Sequence, residues 1–365
     1  KKKKSFCLIN QRNRRVSGIR LDHFILEPAM LILVGAKVGE LISPELFPFF
    51  AIFGLTFPYA LLVFFIGVVL RLIRGGWKGL VVPFIMLFFL QSSIALTIGG
   101  IGTVPELTDD SISFSAGTFN VRRMDEYQWL EGDKTRNDIF TWLSSTSLDI
   151  MCFQEMPVEM KGQVSKSLGG ATVKHAGNRA GTAIATKLKI VDFEPWTFED
   201  ENFARGIILD VILPKSNDTI RVYNVHLQSV GFVGGDYDAV RSGPDTEQSK
   251  KLWSRLSSAF SSRSAQTTVL RASINSSPYP VILCGDFNDT PVSFALSTLR
   301  SGSPKLFDAF ALAGSGLGST YVGDIPGLRI DYMMSSSSLE VVSFETHEIE
   351  LSDHRPISAV FISNR

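Results

Sequence analysis

The chain has 365 residues, 45% of them hydrophobic, and 36 Lys plus Arg balance 36 Asp plus Glu. Such a composition excludes a chain that is disordered throughout or basic throughout, and the length suits two ordinary domains. The balance hides an asymmetry: residues 1–100 carry 12 basic and 4 acidic side chains, leaving 24 basic and 32 acidic in residues 101–365.

Residues 1–23 form a basic lead containing Lys1 to Lys4, Arg12, Arg14, Arg15 and Arg20. Two charge-free runs follow, 25 residues from Leu46 to Leu70 and 27 from Gly79 to Pro105. A bilayer core needs roughly 20 apolar helical residues, so spans are expected at 47–70 and 79–98. A pair of buried core helices is the competing reading. LLVFFIGVVL and FIMLFFL argue against it, because neither has a polar face. Pro48, Pro58 and Pro83 are tolerated in membrane helices. A weaker segment, 24–42, is interrupted by Glu27, Lys37 and Glu40, and an interfacial helix is its alternative. Arg71, Arg74 and Lys78 fill the loop between the strong spans. The positive-inside rule puts this loop and the basic lead on the cytoplasmic side, which requires the weak segment to cross as well. The expectation is three spans within 24–98, a linker over 99–112 and a domain over 113–365 outside the cytoplasm. That is an integral membrane protein of the bacterial inner membrane with a periplasmic domain.

The soluble part alternates strands and helices. SISFSAGTFNV reads as a strand, KTRNDIFTWLSS as a helix with Ile139, Trp142 and Leu143 on one face, and LDIMCF as a short buried strand. VEMKGQVSKSL is helical, and GTAIAT, GIILDVIL and TIRVYNVHL are strands, with a turn at Pro214, Asn217 and Asp218. Residues 246–274 form a long helix on which Trp253 and Phe260 read as core. PVILC, RIDYMM, LEVVSF and ISAVFI supply later strands, and SSSS at 335–338 reads as a surface turn. One α/β domain of about 250 residues is expected. The glycine-containing segments SVGFVGGDYDAVRSGP and AGSGLGST lack the spacing of a nucleotide cradle. Cys7, Cys152 and Cys284 form no metal-binding spacing, so the last two read as small buried hydrophobes.

Polar residues stand where apolar strands end: Asn120 in TFNV, Glu155 in CFQE, His226 in NVHL, Asp286 and Asn288 in GDFND, Asp331 in RIDYMM, and Asp353 and His354 in SDHRP. Singly each has a plain structural role; Asp286, for example, would cap its own turn. Together they are placed to converge at one end of a sheet. The ordered set, covering 113–365, resembles the endonuclease/exonuclease/phosphatase family, and the membrane part is similar to that family's membrane-anchored bacterial branch. The resemblance implies a DNase I-like four-layer α/β/β/α sandwich that hydrolyses a phosphodiester or phosphomonoester with Mg²⁺, Mn²⁺ being the other candidate metal.

On that resemblance Glu155 is the first metal ligand, with Asn120 close to the metal or its waters and Asp353 a metal-side or orienting carboxylate. Asp286 activates the attacking water and Asn288 donates to a phosphoryl oxygen. His226 and His354 face the phosphate, and Asp331 holds the His354 imidazole and raises its pKa. Some family nucleases have an acidic residue two positions after the strand-1 Asn. Here Arg122 stands there, which favours one metal over two. Arg122 and Arg123 have two readings, substrate phosphate or solvent, and Arg205 has two, substrate or a structural ion pair. His175 and His347 match no motif and read as structural. The expected substrate is a lipid headgroup or small phosphoester. The acidic excess of the domain disfavours long nucleic acid, which a basic surface normally holds. An envelope-facing nuclease and a catalytically silent membrane scaffold are the competing functions.

Overall fold

The computed structural model describes residues 21–363, apart from 101, 109–110, 127, 129, 131–133, 199–203, 232–246 and 324. The basic lead, Cys7 and most of the loop at 229–244 therefore lie outside the described residues.

Three helices open the described chain: α1 (Leu21–Gly39), α2 (Phe49–Ile73) and α3 (Val81–Ile98), the last preceded by a 3₁₀ turn at Trp77–Leu80. Two segments, Phe49–Ile73 and Trp77–Ile98, are long and apolar enough to cross a membrane. Their outward surface is apolar, with Phe65, Ile66, Phe84, Phe88 and Phe89 all exposed. α1 runs antiparallel to α2. Gly35 meets Phe53 and Gly39 meets Phe50 at one end, while Gly67 meets Leu26 near the other. Two polar clusters close the ends of this bundle. Asp22 accepts from Arg71 at 3.1 Å and from Arg74 at 3.0 Å, and Arg71 also donates to the Gly79 carbonyl. At the opposite end Lys37 pairs with Glu40 at 2.5 Å, and Ser93 of α3 donates to Glu40 at 3.2 Å. Charges inside an apolar bundle are tolerated when paired in this way, which accounts for Lys37 and Glu40 within the weakest of the three segments.

The remainder consists of two six-stranded sheets. The first has the order β11–β12–β1–β2–β4–β3 and the second β5–β6–β7–β8–β10–β9. The strands are β1 (Ile112–Asn120), β2 (Ile150–Pro157), β3 (Thr172–Ala176), β4 (Ala180–Thr186), β5 (Lys189–Thr197), β6 (Ala204–Ile212), β7 (Thr219–His226), β8 (Val281–Asp286), β9 (Leu306–Asp308), β10 (Asp331–Ser336), β11 (Leu339–Thr346) and β12 (Ile357–Ser363). Each sheet has one parallel pair at its centre, β1 with β2 and β7 with β8. Central strands are buried on both faces because side chains alternate along a strand. In β2, Ile150 and Cys152 enter the core between the sheets, while Met151 and Phe153 enter the outer one. In β8, Ile282 and Cys284 point inward, and Val281 and Leu283 outward.

Helices cover the outer faces and complete a four-layer α/β/β/α sandwich. α4 (Thr135–Ser145) and α5 (Lys161–Ser167) pack on the first sheet through Ile139, Leu143 and Val164. α6 (Glu247–Asn275) and α7 (Phe294–Arg300) pack on the second through Leu270, Ile274, Leu296 and Leu299. A short helix, α8 (Ala309–Ala313), follows β9. Each such buried leucine or isoleucine contributes about 1.5–3 kcal/mol of burial. Cys152 and Cys284 are buried in the core between the sheets.

The helical bundle meets the sandwich through the loop after α1, the first half of α2 and the end of α3. Ser43 and Ser264 share a hydrogen bond at 3.0 Å, Phe49 meets Trp253 edge-on, and the Tyr59 hydroxyl donates to the Pro326 carbonyl. Arg329 donates to the Leu96 carbonyl of α3 at 2.7 Å, and Gly99 and Gly102 lie against Phe310 and Leu312 of α8. The segment after α3 thus begins packed against the sandwich. Arg71, Arg74 and Lys78 lie at the end of the bundle away from it. One local expectation is overturned: Ser335 and Ser336 are not a surface turn but buried residues of β10, and only 337–338 turn. The Ser336 hydroxyl accepts from the Val281 backbone amide at 3.0 Å, so serine satisfies a buried donor there.

Candidate active site

Strand register assembles the site. β7 pairs with β8 so that His226 lies beside Asp286, and β8 pairs with β10 so that Asp286 lies beside Asp331. Three adjacent strands thereby carry a histidine and two carboxylates abreast. Gly285 makes the close approach possible: its φ is +139°, and a Cβ on it would lie 2.0 Å from the Val225 carbonyl oxygen. The first sheet delivers Asn120 from the end of β1 and Glu155 from β2. A register shift between Phe153 and Met156 marks a bulge, and Glu155 sits in it with φ +53°. Bulges and positive-φ residues at strand ends re-aim a side chain, here a half-buried carboxylate turned into the cleft.

The polar contacts are close. Asn120 Nδ2 donates to Asp286 Oδ2 at 3.0 Å and lies 3.5 Å from Glu155 Oε1, while its Oδ1 accepts from the Arg122 backbone amide. Asn120 therefore holds the two carboxylates through its amide nitrogen. Asp286 is 1% exposed, and its Oδ1 accepts from the Asn288 backbone amide at 2.9 Å. Asp286 Oδ2 lies 3.5 Å from His226 Nε2 and 3.7 Å from His354 Nε2. His226 Nε2 is also 3.9 Å from Glu155 Oε1. Asn288, at φ +51°, sends its side-chain amide to the Leu227 carbonyl at 3.2 Å. His354 is held by Asp331 through Nδ1 at 2.8 Å, and Thr320 Oγ1 accepts from the Asp331 amide.

Burial alone would lower the His354 pKa. The carboxylates of Asp331 and Asp286 overcome it and push the imidazole up to about 10. Burial also pushes the Asp331 carboxyl up, against the pull of His354. At neutral pH the imidazole is thus a cation whose Nδ1 proton is fixed on Asp331 and whose Nε2 proton faces the cleft.

Two arginines line the cleft, and each has a carboxylate partner there. Arg122 Nε meets Asp353 Oδ2 at 3.2 Å, and the buried Arg263 meets Asp289 at 3.1 Å. Among the described residues Glu155 and Asp286 form ion pairs only with the two histidines, and the buried Asp331 Oδ1 has no hydrogen-bond partner. Asp286, Asp331 and His354 lie close enough together to hold a metal ion, but a protonated His354 offers it no lone pair, so the donors there are the carboxylate oxygens. This surplus of hard oxygen donors fits a divalent cation such as Mg²⁺. The half-exposed Glu155 is the carboxylate best presented to it. Asp353 is engaged by Arg122 and is therefore not a free metal-side carboxylate here.

The remaining candidate residues have partners within the fold. Arg123 pairs with Glu126, Arg205 donates to Gln228 at 2.6 Å, and His175 is bonded to the Met156 carbonyl. His347 contacts Ser358 and Glu345, and Phe260 is buried beneath Arg263. Sequence reading did not single out Gln154 and Asn224, which are fully buried and join the sheets beneath the site. Gln154 donates to Asn224 at 2.7 Å, and Asn224 donates to the carbonyls of Phe153 and Ala183. Their signal was present: an amide within each of the runs CFQE and NVHL, where an apolar strand has no other use for one. Ser352, which donates to the Asn120 carbonyl at 2.8 Å, and Tyr321, paired with His354 as an isolated β-bridge, had no comparable signal.

The model of the endonuclease/exonuclease/phosphatase family matches residues 117–354. The chain belongs to this family. Solved structures similar to it include an endonuclease/exonuclease/phosphatase from Bacteroides vulgatus, at 18% identity and TM-score 0.54, covering 69% of this chain and 99% of that one. A mannosyl-6-phosphatase from Bacteroides thetaiotaomicron matches at 17% identity and TM-score 0.52, covering 67% and 98%. D. rerio TDP2 complexed with single-strand DNA product matches at 16% and TM-score 0.50, covering 68% and 98%. These likenesses establish the DNase I-like fold. No curated protein matches the sequence.

Proposed function

We propose that the protein is a membrane-anchored, divalent-metal-dependent phosphoesterase whose substrate is a lipid headgroup or another small phosphoester. The observation that carries this reading is the convergence of both sheets on one carboxylate, Asp286. It lies within hydrogen-bonding distance of Asn120 and within 3.5 and 3.7 Å of the two imidazoles. A phosphoester centre is negative, so attack by water needs charge neutralisation, an oriented nucleophile and a proton for the leaving oxygen. Asp286 Oδ2 accepts the proton of the attacking water. The His354 imidazolium donates from Nε2 to a phosphoryl oxygen, with Asp331 fixing its orientation. His226, on the Glu155 side, donates near the leaving oxygen. Glu155 would hold Mg²⁺ or Mn²⁺, with Asn120 steadying the carboxylate. Bound there, the ion supplies positive charge to the phosphoryl oxygens.

The bundle supports a bilayer anchor. α2 alone measures about 37 Å along its axis, against a hydrocarbon core of about 30 Å. α1 runs antiparallel to α2, α3 returns in the direction of α1, and the basic loop lies at the end opposite the catalytic domain. That fits three spans with the domain outside the cytoplasm. A nuclease is the second reading, favoured by the DNA-bound neighbour. The acidic excess of the domain weighs against it. Full-length protein should be assayed with Mg²⁺ against phosphatidyl headgroup esters, sugar phosphates and single- and double-stranded DNA. Turnover of lipid or small esters is the expected outcome. Cleavage confined to DNA would replace this reading with the nuclease, and no turnover of any ester would favour the silent scaffold.

A further inference from the structure

The catalytic cleft, about 290 Å³, is lined by two chemically different sets of side chains. The polar set includes Asn120, Glu155, His226, Asp286 and His354, with the paired Arg122 and Arg263 beside them. The apolar set is Leu256 and Phe260 of α6, Ile325 and Leu328 of the segment before β10, and Leu55 of α2. Leu55 belongs to a helix apolar enough to cross a membrane, yet it shares one cleft with Asp286 across 231 positions of sequence.

The contact that puts it there is tight. A Cβ on Gly54 would lie 2.1 Å from the Val292 carbonyl oxygen, so α2 touches backbone in the segment that follows Asp286–Asp289. Tyr59, one turn further along, is tied to Pro326, which adjoins the cleft residue Ile325. Leu55 lies about 9 Å from the start of α2. Because α2 is held by the sandwich as far along as Tyr59, its first turns stand at the bilayer boundary, where lipid phosphates sit, and not in the hydrocarbon core. A half-buried leucine facing a charged site contributes nothing to the binding of a wholly polar ester. It does contribute to an ester with an apolar chain.

We propose that Leu55 is part of the substrate site and that the cleft takes a bilayer lipid, with its phosphoester at Asp286 and the first part of its apolar chain against Leu55, Leu256, Phe260, Ile325 and Leu328. The proposal rests on the reading of the polar set as a phosphoesterase centre and deepens it. The membrane helix is then not only an anchor but one wall of the cleft, and selectivity for a chain-bearing ester is read at the boundary between bundle and sandwich.

The test uses full-length protein in nanodiscs and a series of p-nitrophenyl alkyl phosphodiesters with methyl, butyl and octyl chains, each below its micelle concentration. Burial of each methylene raises kcat/KM about threefold to fourfold until the apolar set is covered. The octyl-to-methyl ratio should therefore be at least tenfold in the wild type. Leu55→Asn, which keeps the branching but not the apolarity, and Leu55→Trp, which fills the space, should each lower that ratio at least fivefold. Leu256→Asn should do the same from the catalytic domain, without altering the membrane helix. Partition into nanodisc lipid is common to all variants, so a change in the ratio belongs to the cleft. Hydrolysis of every ester with a wild-type ratio near one would overturn the proposal and leave the phosphoesterase reading intact. A high ratio unchanged within twofold in all three variants would also overturn it. Failure to hydrolyse even the methyl ester would remove the phosphoesterase reading itself.

Discussion

Replacing Gly285 by alanine should damage catalysis more than any other loss or gain of a single methyl group near the site. The added Cβ would lie 2.0 Å from the Val225 carbonyl oxygen, more than 1 Å inside van der Waals contact, and it belongs to backbone that cannot rotate away. Relief requires β7 and β8 to separate by about 1 Å, and these strands carry His226 and Asp286 side by side. Overpacking of this kind costs about 1–3 kcal/mol, and φ +139° adds about 1 kcal/mol for a residue with a side chain. A destabilisation of about 3 kcal/mol corresponds to roughly 6–12 °C in Tm for a domain of this size. A misplacement of about 1 Å costs about 100-fold in rate. Both are read on full-length protein in detergent, by thermal unfolding and by hydrolysis of bis(p-nitrophenyl) phosphate at 25 °C. A variant within 2 °C and threefold of wild type would refute the claim that the β7–β8 approach sets the site.

Three further outcomes follow from the geometry. The folded-state pKa of His354 is raised to about 10, above its usual value near 6.5, so its contribution to stability is fully present below about 6.5 and is lost as pH rises through 10. The Tm should accordingly fall between pH 7 and 10, and activity should fall on the same alkaline limb; a His354→Gln variant whose Tm shows an undiminished drop over that range would contradict this. Glu155→Gln should raise the Mg²⁺ concentration for half-maximal activity at least tenfold, measured by metal titration after EDTA treatment; an unchanged midpoint would take Glu155 out of the metal site. Protease added to intact spheroplasts should digest the catalytic domain, whereas protection until lysis would reverse the orientation.

What the sequence made legible, and what it did not, divides along physical lines. Asn120, Glu155, His226, Asp286, Asp331 and His354 could be read because each stands at the end of an apolar run, where strand periodicity stops and a polar residue has no core role. The structure brings five of these to one cleft, with Asp331 behind His354 and bonded to it. The strands that went unread, β3, β5 and β9, are all at sheet edges. An edge strand buries less, so its pattern weakens; β5 is exposed or half-buried along most of its length and contains Pro195. Leu55 was read only as part of an apolar span. Its place in the cleft depends on Gly54 meeting Val292, a contact between residues far apart in sequence that no local pattern encodes. Arg122 was visible as a departure, but only the folded chain shows it paired with Asp353.

The central claim is that Asp286 activates water for phosphoester hydrolysis. Asp286→Asn keeps the shape and one of the two accepted hydrogen bonds, from Asn120 or from the Asn288 amide, but removes the base. Its single-turnover rate on bis(p-nitrophenyl) phosphate, at saturating Mg²⁺ and with Tm matched to wild type, is the direct measurement. The account predicts a fall of at least about 1,000-fold. A folded variant that retains more than a tenth of the wild-type rate would contradict it.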